Sequence, residues 1–145
     1  MKNNEIHIRD PFVVVHDGKY YMYGTRGKNF GQQTGGVDVY KGTDLENWSD
    51  PIQVFDSEKY NLNKQANWAP EVHEHNGKFY MFVTVAAENR EKGVITLVCD
   101  TPDGRFVPLS KEPVTPRDWE CLDGTFFVED GIPYMVFCHE WVQVK

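Results

Sequence analysis

Three segments of this chain follow one plan, and that repetition constrains the fold more than any other feature. They are DPFVVVHDGKYYMYGT (10–25), APEVHEHNGKFYMFVTV (69–85) and DGTFFVEDGIPYMVFCHEW (123–141). In each, a largely apolar run leads to HDG, HNG or EDG, and an aromatic-rich run follows: YYMY, FYMF or PYMVF. Asp-Gly and Asn-Gly tolerate the positive φ of a type I′ turn, so each segment reads as a β-hairpin. Gly18, Gly77 and Gly131 recur at roughly 55–60 residues, on the order of a propeller blade. Between the hairpins, GGVDVYKGTDLENW (35–48) and GVITLVCDTPDGRF (93–106) each carry a strand, a turn and an aromatic, as the outer half of a blade would. No stretch has the period of a helix of about ten residues or more.

The expected fold is therefore all-β, a β-propeller with about two and a half blades in this chain. Blade one covers about 6–60, blade two about 61–115, and the start of blade three about 116–145, within one partial propeller domain. A sandwich with three hairpins is the plain alternative; the recurrence of whole units favours the propeller. A ring closes with about four to eight blades, and an open stack leaves a strand edge and an apolar face uncovered. The chain is thus expected to be part of a longer protein, or a half that pairs with a second copy.

Charge and composition exclude several partners. The net charge of −7, with no Lys/Arg cluster, argues against nucleic acid. No segment approaches the ~18 apolar residues of a membrane span. The N-terminal MKNNEIHIRD has no apolar core of a signal peptide. Cys99, Cys121 and Cys138 are odd in number and unpatterned, which fits neither a disulfide framework nor a CxxC metal site. A reducing cytoplasm is the expected location, or secretion if the N-terminus has been trimmed.

In a propeller the innermost strand of each blade lines the axial channel, so residues at one phase of the repeat share one height. The hairpin alignment puts Asp10, Ala69 and Asp123 in register. Glu71 stands two residues after Ala69, on the same side by the strand period. Asp10 and Asp123 would then face one mouth from blades one and three. Opposed carboxyl groups across a sugar ring are what a glycosidase requires.

At this point the motifs themselves resemble a known family. IRDPFVVVHDGKYYMYGT, NWAPEVHEHNGKFYMF and ECLDGTFFVEDGIPYMVFCHEW are similar to the first three inner hairpins of family 43 of the glycoside hydrolases. The resemblance implies a five-bladed propeller that inverts glycosidic linkages of arabinose- and xylose-containing glycans, with an oligo- or polysaccharide as substrate. It implies that Asp10, in the R-D-P of residues 9–11, is the general base, and that Asp123 tunes the pKa of the acid and helps hold it. The family's general acid is a glutamate on a later blade, which no position here matches, so the 145-residue chain alone is expected to be inactive. The family often holds a calcium ion near the channel axis; no loop here has calcium-ligand spacing, and no cofactor is expected.

Each candidate also has a plainer reading. Asp10 before Pro11, and Asp123 before Gly124, are common turn residues. Arg9 either pairs with a carboxylate near the site or is a solvated neighbour. Trp68 either stacks on a sugar or belongs to the core. Glu71 either meets sugar hydroxyls or satisfies backbone groups. His139, with Glu140 and Trp141, forms HEW, which lacks the second histidine and the helix of a zinc protease; His139 is kept as a pocket residue. Glu140 is set aside as the acid because it is expected at the far end of its hairpin from Asp123. His7, His16, His73 and His75 are expected at the surface or in turns, and Trp48 in the core. Fructan-cleaving relatives with the same architecture use an Asp-Pro-Asn nucleophile, a central R-D-P and a Glu-Cys acid. Glu120-Cys121 supplies the letters, but R-D-P comes first and no Asn follows Pro11, so this is the minor alternative, with Glu120 as its acid. The rival from another class is a non-catalytic carbohydrate-binding or interaction propeller.

Overall fold

The computed structural model describes residues 1–27 and 35–140, with the side chains of 63–65 left aside. Among the described residues ten strands form three antiparallel sheets. The first joins β1 (Ile8–His16), β2 (Lys19–Arg26), β3 (Val37–Gly42) and β4 (Ile52–Phe55) in sequence order. The second repeats the pattern with β5 (Asn63–His75), β6 (Lys78–Ala86), β7 (Gly93–Cys99) and β8 (Val107–Pro108). The third is the hairpin β9 (Cys121–Glu129) and β10 (Ile132–His139). These are two four-stranded blades and the inner pair of a third. The helical elements among the described residues are two 3₁₀ turns, at Asn3–Glu5 and Ser57–Tyr60.

The three inner hairpins turn as their sequences require. Asp17, Asn76 and Asp130 have φ of 49°, 50° and 49°, and the glycines after them 69°, 74° and 78°. Both central residues are left-handed, which is the type I′ turn, and its twist matches that of the flanking strands.

The core lies between the first two sheets. Tyr23, Val37, Val39 and Phe55 from the first pack against Val72, Met81, Val83, Ile95 and Leu97 from the second, all buried. Each such side chain contributes roughly 1.5–3 kcal/mol by leaving water. Tyr23 Oη donates to the Pro102 carbonyl at 2.6 Å, so its polar end is also satisfied. β6 is buried continuously from Met81 to Val85, as expected of a strand covered on both faces. β10 differs: Ile132, Tyr134 and Val136 are about half exposed, as is Phe127 on β9. The second sheet covers one face of this hairpin, and its other apolar face is open.

Candidate active site

The inner strands do not run straight. On β1 the ladder pairs Arg9 with Thr25 and next Phe12 with Tyr23, so Asp10 and Pro11 lie opposite Gly24 alone. β5 does the same: Trp68 pairs with Thr84 and Glu71 with Phe82, leaving Ala69 and Pro70 opposite Val83. The third hairpin pairs Leu122 with Cys138 and Thr125 with Val136, leaving Asp123 and Gly124 opposite Phe137. Each is a β-bulge, and its first residue is left-handed: φ is 50° at Asp10, 43° at Ala69 and 55° at Asp123. Asp accepts this conformation more readily than most residues, whereas Ala69 holds it at a cost of roughly 1–2 kcal/mol. Pro11 and Pro70 fit because a bulge frees the residue from donating to the ladder. A bulge re-aims its side chain. That explains why an acid-proline pair opens the first hairpin.

The bulges also lock neighbouring blades. The Ala69 N–H donates to Thr25 Oγ1 at 2.7 Å, and the Asp123 N–H donates to Thr84 Oγ1 at 3.0 Å. Thr25 and Thr84 each stand seven residues after their turn glycine, and both are fully buried. Thr25 Oγ1 also donates to Asp10 Oδ2 at 2.9 Å. Neither threonine was singled out from the sequence. Their shared phase after Gly18 and Gly77 is the signal that marks them.

Three carboxylates act on that of Asp123. The Asp123 carboxyl is raised above the usual aspartate range, first by loss of water around it and then by the negative charges of Asp10, Glu140 and Glu71. The four groups are therefore electrostatic neighbours although they come from three hairpins. Glu71 accepts from His73 Nε2 at 3.0 Å when that nitrogen carries the proton. The bulge between Trp68 and Glu71 breaks the period-two count that had linked Glu71 to Ala69.

Two expectations need correction. Glu140 is not at the far end of its hairpin from Asp123. The strands are antiparallel, so the end of β10 lies beside the start of β9: His139 pairs with Cys121, and the Glu140 N–H donates to the Glu120 carbonyl at 2.8 Å. His73 is not a surface residue. It is half-buried among Phe12, Phe82 and Phe126, with ring centroids 5.2, 6.1 and 5.6 Å away.

The remaining candidates have the following partners. Arg9 is half-buried opposite Thr25. Trp68 is half-buried, with Lys92 Nζ 5.4 Å from its ring centroid. Lys92 also forms an ion pair with Glu120, and its N–H donates to Glu120 Oε2 at 3.2 Å. Glu120 thus ties the start of β7 to the start of β9. His139 is exposed and stacks on Trp119, with centroids 4.4 Å apart and planes within 6°. Trp141 lies outside the described residues. Trp48 is buried, in a small cluster with Met22 and Tyr40 on the far face of the first sheet. Among the described residues no group of three or more His, Cys, Asp or Glu side chains is placed to hold a metal ion. Nor is any described helix long and apolar enough to cross a membrane.

Known proteins are similar to this chain in sequence and fold. The family model for glycosyl hydrolases family 43 matches residues 5–145. The extracellular exo-α-(1→5)-L-arabinofuranosidase ArbA of Cellvibrio japonicus is 24% identical over 97% of this chain and 43% of its own length. The extracellular endo-α-(1→5)-L-arabinanase 1 of Bacillus subtilis is 24% identical over 99% of this chain and 46% of its own. The solved endo-arabinase of Bacteroides thetaiotaomicron superposes with a TM-score of 0.82 at 32% identity, over 97% of this chain and 48% of that one. The chain thus spans about half the length of the relatives it matches. Its three sheets match two blades and the inner pair of a third in the five-bladed propellers of these structural neighbours. The chain belongs to family 43 of the glycosyl hydrolases.

Proposed function

We propose that the complete protein hydrolyses O-glycosyl linkages of arabinose- or xylose-containing glycans with inversion at the anomeric carbon. Asp10 is the general base that takes a proton from the attacking water, and Asp123 is the carboxylate that tunes and holds the proton donor. The observation that carries this reading is the shared left-handed bulge, which sets Asp10 and Asp123 at the same phase of blades one and three. Inversion needs carboxyl groups on opposite sides of the sugar with room for a water between, roughly 6.5–9.5 Å from base to acid. Asp123 supports the acid through charge: a carboxylate beside a second carboxyl favours that group's protonated form. The donor is assigned by family resemblance to a glutamate on a later blade. Arg9, Trp68, Glu71 and His139 are the proposed sugar contacts.

The open apolar face of β9–β10 supports a protein in which that face is covered, by further blades or by a second copy of this chain. Blade units at 6–60, 61–115 and 116–145 remain our division of the domain. Cysteine usage supports a cytoplasmic location, and the extracellular names of two relatives run against it. Fractionation of the producing cells decides between them.

The test of the function is Asp10→Asn in the full-length protein. Asn keeps the shape and accepts the left-handed backbone, so the fold is retained while the base is lost. Release of arabinose or xylose from arabinan or xylan oligosaccharides should fall by about 10²- to 10⁴-fold, with oligosaccharide binding kept. Undiminished turnover would remove Asp10 from the role. Binding without turnover in the wild-type protein would identify a non-catalytic carbohydrate-binding propeller.

A further inference from the structure

We propose that Thr25 is a positioning residue for the Asp10 carboxylate, holding one of its oxygens so that the other is presented to the water. The inference rests on the reading of Asp10 as the general base. Thr25 is fully buried on β2, and its hydroxyl makes two bonds whose directions are fixed by chemistry. The Ala69 N–H can only donate, so the 2.7 Å contact uses a lone pair of Thr25 Oγ1. The single hydroxyl proton is then left for Asp10 Oδ2 at 2.9 Å, and an ionised carboxylate can only accept it. The carboxylate therefore has one oxygen held by a buried donor, whose own orientation is set by the backbone of the neighbouring blade.

The second blade shows what in this arrangement is general and what is particular. Thr84, at the same phase, takes the N–H of Asp123 just as Thr25 takes that of Ala69. Accepting the next blade's bulge N–H is thus a structural duty common to both threonines. Only blade one of these two carries a carboxylate at its own bulge, because blade two has Ala69 there. The bond from threonine to carboxylate is consequently specific to the site. It makes the angle of Asp10 depend on the docking of blade two.

The experiment compares Thr25→Val and Thr25→Ser in the full-length protein. Val preserves the shape and removes the hydroxyl; Ser keeps the hydroxyl and drops the methyl. For Val, kcat should fall by about 10²-fold, the size of effect expected when a catalytic group is misplaced by about 1 Å. KM should stay within about twofold, because substrate binding is not touched. Ser should recover most of the lost kcat. Wild-type kcat in Val, or Ser no better than Val, overturns the proposal while Asp10→Asn still tests the base. A wild-type protein with no turnover on any arabinosyl or xylosyl substrate refutes the functional reading separately. The Asp10 ¹³Cγ resonance then decides the inference alone: a change in Val that Ser reverses supports it, and an unmoved resonance rejects it.

Discussion

Gly124→Ala should uncouple the third hairpin from the second blade. Gly124 is the second residue of the bulge that carries Asp123, and its backbone lies against blade two. A Cβ placed there would stand 2.6 Å from Val94 Cγ1, and 3.3 Å from both Met135 Sδ and Phe82 Cβ. Ordinary carbon contacts begin near 3.5 Å, so β9 or Val94 must move by roughly 1 Å. Val94 is fully buried on a strand paired along its length, so it gives little. Overpacking of this kind costs about 1–3 kcal/mol, which for a domain of this size lowers Tm by about 3–10 °C. The same displacement moves Asp123, and a shift of about 1 Å in the catalytic constellation costs about 10²-fold in rate. Thermal unfolding by circular dichroism and kcat of the full-length protein measure the two effects. Gly77→Ala is the comparison. Its Cβ meets nothing within 4 Å, and it carries backbone strain alone at φ 74°. If Gly124→Ala keeps wild-type Tm and kcat, the close approach of the two blades at Asp123 is not what positions the carboxylate.

Asp123→Asn should stabilise the fold at neutral pH while lowering activity. The Asp123 carboxyl is raised in the folded state by desolvation and by Asp10, Glu140 and Glu71, so the native protein holds its proton more tightly than the unfolded chain does. Stability from this group is thus present below the usual carboxylate value of about 3.9 and is lost as pH rises through the raised folded value. Asn removes that loss. Its gain, at most about 1 kcal/mol because the group opens to water, should appear in urea unfolding at pH 7 and vanish near pH 3; a gain independent of pH would contradict the charge argument. Glu140→Gln tests where the proton donor resides. With the donor on a later blade, kcat should fall by less than about 10-fold, whereas a loss of about 10²- to 10⁴-fold, relieved on substrates with activated leaving groups, would move the acid role to Glu140.

Much of the architecture was legible in the residues. The Asp-Gly and Asn-Gly turns could only be left-handed pairs, and their recurrence announced blades. The relation between Asp10 and Asp123 followed from phase alone, because equal position in a repeat means equal height in a ring. The error over Glu140 came from counting along the chain, since an antiparallel hairpin brings its first and last residues together. His73 was misplaced for a related reason: its exposure is set by Phe12 and Phe126, which belong to the strands of neighbouring blades.

The sequence by itself determined the repeat, the turns, and the two in-phase carboxylates, because each depends on local backbone preference and on strand period. Only the tertiary structure decided what happens between blades. The bulges at Asp10, Ala69 and Asp123 are pairing events, visible only once a partner strand shows two residues facing one. Thr25 and Thr84 acquire their partners from the next blade, 44 and 39 residues away in the chain. The raised carboxyl of Asp123 arises first from its loss of water and then from charges on three hairpins, a sum that no linear pattern contains.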